Sequence, residues 1–303
     1  MPRILTFVTL AAFALSAWWL LSSFDIFYEP GKCESFVNTD SLGPVIIGPR
    51  IDRGSFSLVV EGLASQSNHR VAVKIGMHPL ANTGRDIEIL SKFNDTRPFP
   101  LYYGSGLTRC EKKLSGRIIE YPYIVMEKLG KPVSALTEMI PDRDERIKVA
   151  AQVALQVLDG LEMMHNEHKM LMHDIYTENI LLANTDELQV KLVDFGEIVK
   201  IADGGFYNQN NPVYTTVRED KGEPISQRDD LERLVYVMMQ IVDGPLPWEE
   251  YKGDWLKHSK LHSPFGKREY PENIKLLLQN ARGHLGYREP IDFDYCRTLL
   301  RAI

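Results

Sequence analysis

The sequence predicts an α+β chain of two lobes, a small β-rich one and a larger, mostly helical one, preceded by an N-terminal hydrophobic helix. Three observations predict it. From Ile51 to Ile75, apolar and polar residues alternate around a short polar turn, the period of strands. From Ile147 onward, apolar residues recur at three and four, the period of helices. The stretch "ILTFVTLAAFALSAWWLLSSF", Ile4 to Phe24, carries no charged residue.

The chain has 303 residues, enough for one two-lobed domain or two compact ones. Its hydrophobic fraction of 44% and charged fraction of 25% are those of an ordinary globular protein. A formal net charge of −6 gives no electrostatic reason to expect nucleic-acid binding.

The 21 uncharged residues 4–24 match the ~20 needed to span a bilayer core, and exceed the ~7–15 of a cleaved signal's apolar region. Trp18 and Trp19 suit an interfacial aromatic belt. Arg3 before the stretch favours a cytoplasmic N-terminus and a lumenal body, although Lys32 follows closely. Residues 1–24 therefore read as a single-pass signal anchor of the endoplasmic reticulum or Golgi. A long signal peptide, with secretion after cleavage, is the alternative, and a buried core helix is the remaining one. Residues 25–44 read as a linker. Cys33, Cys110 and Cys296 are too few and scattered for a disulfide framework or zinc site. In a lumenal body one pair, such as Cys33 with Cys110, can form. "NDT" at Asn94–Thr96 would then be a glycan acceptor triplet.

The small lobe begins with "IDRGSFSLVVEGL", Ile51 to Leu63, and "HRVAVKI", His69 to Ile75, which read as a hairpin leading into a third strand. Lys74 ends that strand. "GRDIEILSKF", Gly84 to Phe93, has helical spacing in Ile89, Leu90 and Phe93. "YPYIVMEKLG", Tyr121 to Gly130, reads as a further strand and an exit from the lobe. In the larger lobe, "IKVAAQVALQVLDGLEMMHNEH", Ile147 to His168, is a core helix delivering the chain into "LMHDIYTENILL", Leu171 to Leu182. "VKLVDFGEIVK", Val190 to Lys200, follows with Asp194, Phe195 and Gly196 at the end of an apolar strand.

In this order, these segments resemble the working parts of a protein kinase. The glycine-rich loop G-x-G-x-x-G-x-V is reduced to its middle Gly54, with Asp52 and Ser57 at the outer positions and Val59 closing it. The resemblance implies that Lys74 holds nucleotide phosphates and needs a carboxylate from the next helix. The register selects Asp86, with Glu88 as the alternative. Backbone groups near Glu127 to Leu129 would meet the adenine, with Met126 at its mouth. Asp174 and Asn179 keep the spacing of H-R-D-x-x-x-x-N, the first as base, the second with Asp194 as a magnesium ligand. ATP and Mg2+ are thus the implied cofactors. Met172, His173 and Tyr176 depart from the motif. Tyr176 stands where most serine/threonine kinases carry a lysine, and is neutral near pH 7.

The resemblance narrows in the second half. "SQRDDLERLVYVMMQIVDGPLPW", Ser226 to Trp248, is similar to the S-R-R-D-D-L-E-S-L-G-Y segment and following L-P-W of casein kinase I. "VYTTVREDKG", Val213 to Gly222, keeps the length of that family's substrate-facing loop, and Tyr270 to Ile303 resembles its closing helices. The casein kinase I and vaccinia-related kinase branch is the implied group, over roughly residues 45–303, with lobes at 45–129 and 130–303. There Asp230 would brace the catalytic loop. His173 replaces an arginine that clamps phosphorylated loops in many kinases, so Thr215 and Thr216 read as ordinary loop hydroxyls. Val213 replaces a basic substrate-binding residue, whereas Lys252 matches one.

The implied function is an ATP-dependent serine/threonine protein kinase, anchored in the membrane through residues 4–24 and acting on a protein substrate. Two other classes stay open: a pseudokinase scaffold, suggested by the eroded glycine loop, and a small-molecule or glycan kinase, suggested by the missing lysine.

Overall fold

In the computed structural model the described residues are 30–54, 57–77, 82–112, 116–201, 211–283 and 290–303. The membrane segment expected over residues 4–24 lies outside them. Among the described residues no helix is long and apolar enough to cross a membrane.

Seven strands form one antiparallel sheet: β1 (Pro30–Cys33), β2 (Phe36–Thr39), β3 (Gly43–Arg53), β4 (Ser57–Ala64), β5 (Arg70–Gly76), β6 (Tyr102–Lys112) and β7 (Ile118–Glu127). Their order is β1-β6-β7-β5-β4-β3-β2. The expected alternation is present in β4, where Val60, Gly62 and Ala64 face inward. After Arg70, β5 is buried throughout, as a central strand covered on both faces must be. Val45, Val71, Val73, Ile75 and Val125 build the core between them. Each such side chain contributes about 1.5–3 kcal/mol on burial.

The linker expected over residues 25–44 is corrected in its described part. Residues 30–39 supply β1 and β2, and β3 starts at Gly43 rather than Ile51. β2 pairs with β3, while β1 pairs with β6, so one short segment reaches both ends of the strand order. Cys33 is bonded to Cys110 at that second pairing. These strands were hidden because their partners, notably β6, lie far along the chain. Cys296 is free and buried, and burial pushes its thiol up to about 12.

The helix α1 (Thr83–Lys92) follows β5. Contacts divide the chain into two units, the described residues up to Ile87 with Tyr102–Glu127, and Glu88–Leu101 with Lys128–Ile303. One division falls between Glu127 and Lys128, and another within α1. Residues 88–101 join the larger unit because Phe93 stacks on Phe99 at 4.3 Å, and Phe99 meets Phe195.

The larger unit is mostly helical: α2 (Leu136–Met139), α3 (Arg143–Glu162), α4 (Val217–Asp220), α5 (Gln227–Asp243), α6 (Asp254–His262), α7 (Glu272–Arg282) and α8 (Phe293–Arg301). Asp142 caps α3 by accepting from the Glu145 N–H at 2.7 Å. Gly160 in its interior is forced by packing, since a Cβ there would lie 2.8 Å from the Pro98 ring. Ser226 and Asp229 form a capping box at the start of α5. Gly244, at φ 74°, ends that helix in a conformation that favours glycine. α5 is buried on every side from Arg228 to Met239. Such a helix is a core element, so its charged first turns must find partners.

Candidate active site

The loop after α3 is held from below. β8 (Met170–Leu171) pairs with β11 (Val199–Lys200), and β9 (Ile180–Leu182) pairs with β10 (Val190–Leu192), fixing both ends of the segment between them. Within it, the Met172 and His173 N–H groups donate to the Asp230 carboxylate at 2.8 and 2.9 Å. His165 Nε2 meets the same carboxylate at 2.8 Å. Burial alone would raise the Asp230 carboxyl, but the bond and charge of His165, the charge of Arg233 and the backbone donor outweigh it. Asp230 is held below the usual carboxylate range, a buried anion with donors aimed at it.

This anchorage presents Asp174. The Asn179 amide donates to Asp174 Oδ2 at 2.9 Å and to the Asp174 carbonyl at 3.0 Å. Spending both amide hydrogens on one residue fixes the flip of Asn179 and turns its Oδ1 outward as an acceptor. His173 stands at φ 63°. Asp194, after β10, stands at φ 61° and is exposed. Such left-handed backbone in non-glycine residues is costly and collects at functional sites. Phe195 is fully buried against Phe99 at 5.8 Å, which holds the turn bearing Asp194.

In the strand-rich unit, Lys74 Nζ lies 2.8 Å from Asp86 Oδ2, with only 10% and 4% of the side chains exposed. The α1 register thus brings Asp86 to Lys74. Gly54 sits beyond β3, its N–H donating to the Ser57 carbonyl at 3.0 Å, and its missing Cβ leaves the backbone open. Glu127 ends β7, and Leu129 lies in the half-buried segment that follows.

Each unit's groups, taken by themselves, have the chemistry to hold a part of magnesium-ATP. Asn179 Oδ1 and the Asp194 carboxylate are hard oxygen donors of the kind magnesium takes. Lys74, oriented by a buried carboxylate, is a fixed cation for phosphate. Among the described residues no group of three or more histidine, cysteine or carboxylate ligands gathers.

Sequence reasoning missed the second layer. Tyr176, in place of the lysine, packs its ring 5.7 Å from that of Tyr214. Tyr214 in turn bonds Gln240 of α5, and Thr177 meets the same Gln240 oxygen. His173 Nε2 lies 3.1 Å from Glu219 Oε1, and Arg233 binds the other oxygen of Glu219. Lys260 of α6, fully buried, donates to the Thr215 carbonyl at 2.7 Å, the Pro212 carbonyl at 3.1 Å and Asp220 at 2.9 Å. Thr216 Oγ1 donates to Asp229 at 2.5 Å. The pattern Thr216-x-x-Glu219 is a capping signature that marks α4, but nothing local points Glu219 at His173. Leu256 and Lys260 share a buried helix face, the one hint that this lysine turns inward.

Comparison with known proteins agrees with this arrangement. Residues 46–217 match the family described as protein kinase domain, more than half the chain. Human "Serine/threonine-protein kinase VRK2" is 32% identical over 161 residues, 50% of this chain and 30% of that relative. "Casein kinase I homolog 3" of Schizosaccharomyces pombe is 25% identical over 282 residues, 85% of this chain and 61% of the relative. The chain thus spans only 30% and 61% of these two relatives. A solved structure, "Structure of vaccinia related kinase 3", shares the fold with a TM-score of 0.69 at 19% identity, covering 90% of this chain and 91% of its own.

Proposed function

We propose that this chain, which belongs to the protein kinase family and is similar to casein kinase I and the vaccinia-related kinases, transfers phosphate from ATP to serine or threonine hydroxyls of a protein substrate. The observation that carries the reading is the Asp174–Asn179 pair on a loop braced by Asp230. When bound, magnesium-ATP supplies the phosphoryl group and neutralises its charge. Lys74 would hold the phosphates, with Gly54 giving backbone access and residues 127–129 the adenine contact. Asn179 and Asp194 would hold the metal.

Asp174 does the protein's share at the acceptor. Its Oδ2 already accepts from Asn179, which holds the carboxylate in one orientation. It can therefore orient an acceptor hydroxyl and take its proton. The acceptor must approach past Tyr176 and the Pro212–Lys221 segment, which lie against this loop.

We also read the protein as anchored through residues 4–24, with the kinase domain in an oxidising lumen. The Cys33–Cys110 bond supports this, since such bonds persist in oxidising compartments. So does the exposure of Asn94 in its acceptor triplet.

The test is phosphate transfer from magnesium-ATP by the full chain, with itself and casein as acceptors, beside Asp174→Ala and Asp194→Ala. Transfer lost in both variants upholds the reading. Absence of transfer from the folded wild type, or transfer that survives Asp174→Ala, overturns it.

A further inference from the structure

His258 and His262 stand one turn apart on the exposed face of α6. Their ring centroids are 4.5 Å apart and the rings are tilted by 59°. Residues four apart on a helix are neighbours, so the backbone itself holds the two imidazoles side by side. Neither ring nitrogen hydrogen-bonds to a described residue. Both rings lie at the surface, so the pair buries little and explains nothing about packing.

The separation has a chemical meaning. With metal–nitrogen bonds of about 2.1 Å, two imidazoles bound at about 90° to one ion have centroids about 4.6 Å apart. The pair already stands at that spacing. We infer that His258 and His262 form a binding site for a late divalent transition metal ion, Cu2+ before Zn2+, outside the proposed catalytic centre. Imidazole suits these ions, and copper heads the affinity order.

Among the described residues no third imidazole, thiol or carboxylate converges on the pair. Water therefore completes the coordination, which sets the affinity in the micromolar range rather than at that of a closed structural site. Lys260 lies between the two histidines on the buried side of the same turn, from which it holds Pro212, Thr215 and Asp220. An ion across the histidines braces that turn from outside.

The experiment titrates CuCl2 or ZnCl2 into the purified full chain. Trp255 is 74% exposed and its ring lies 6.2 Å from His258, so bound copper quenches its fluorescence. Quenching at micromolar copper is expected, lost in Trp255→Phe, and copper should displace bound zinc while zinc competes with copper only in excess. Electron paramagnetic resonance should show two coupled imidazole nitrogens. Each of His258→Ala and His262→Ala should weaken binding at least tenfold and leave one coupled nitrogen, with unchanged circular dichroism. Copper binding that is equal in wild type and both variants, or no binding at micromolar concentration, overturns the site.

Discussion

His173 Nε2 lies 3.1 Å from Glu219 Oε1, joining the loop that bears Asp174 to α4, within the Pro212–Lys221 segment. Arg233 closes on the other oxygen of that carboxylate, and all three side chains are nearly inaccessible. A loop that a phosphate would otherwise organise is here tied by a carboxylate built into the chain. Removing that carboxylate leaves Arg233 buried with reduced compensation. Glu219→Gln should cost about 3–5 kcal/mol, as for other broken buried pairs. Urea denaturation measures this directly; a loss below 1 kcal/mol would mean that the tie is not structural.

The pH dependence of stability follows from two neighbouring carboxyls of opposite sign. Burial would raise Glu219, but His173 and Arg233 hold it below its ordinary 4.5. A depressed carboxyl contributes stability above its unfolded value and loses it as pH falls through the folded one. Asp229 is pushed by burial from 3.8 up to about 6, against the pull of Arg233 and Thr216. Charging it costs stability, so its penalty grows as pH rises from about 4 to about 6. Asp229→Asn should flatten that interval, and Glu219→Gln should flatten the acid limb below 4.5. Thermal unfolding across pH 3–8 separates the two effects.

Lys74 and Asp86 form a buried pair whose value lies in orientation as well as stability. Lys74→Met leaves a carboxylate in a site 4% exposed and should destabilise the protein by about 3–5 kcal/mol. It should also abolish phosphate transfer. Asp86→Glu keeps the charge but lengthens the reach. It should retain most of the stability while changing KM for ATP, as steady-state kinetics would show.

Tyr176 replaces a cation with a neutral phenol packed on Tyr214. If phosphate transfer is limited by charge left on the phosphoryl group, Tyr176→Lys should raise kcat by roughly 100- to 1,000-fold, the worth of one electrostatic donor. An unchanged or lower kcat would show that the loop has been rebuilt around the tyrosine.

The motifs behind the proposed chemistry could be named from the sequence because each is local. Lys74 at a strand end, the Asp174–Asn179 spacing and Asp194 after an apolar strand each need only a few neighbours to be recognised. Asp86 followed from the helical register, and it meets Lys74. What stayed hidden depends on pairing across the chain. β1 and β2 exist only because β6 and β3 offer edges, with 77 residues separating Cys33 from Cys110. Glu219, Arg233 and Lys260 carry no local signal of burial, yet their side chains are nearly inaccessible in the fold.

Lys260 is the strongest case of such a charge. Its ammonium is fully buried and spends its hydrogens on the Pro212 and Thr215 carbonyls, the Thr215 hydroxyl and Asp220. Burial pulls its pKa down, and Asp220, then Glu232 and Glu219, pull it back up. An uncompensated ammonium would be expelled, so these acceptors must stay in place while it is charged. The lysine therefore shapes the segment beside Asp174 without touching the reacting atoms. Lys260→Met keeps most of the volume and removes the donors. Hydrogen exchange of residues 212–221 should accelerate at least tenfold, while α5 stays protected. KM for the protein acceptor should rise several-fold, with KM for ATP unchanged. A uniform loss of protection across the larger unit would instead mark Lys260 as a general stabilising residue, with no special hold on the acceptor segment.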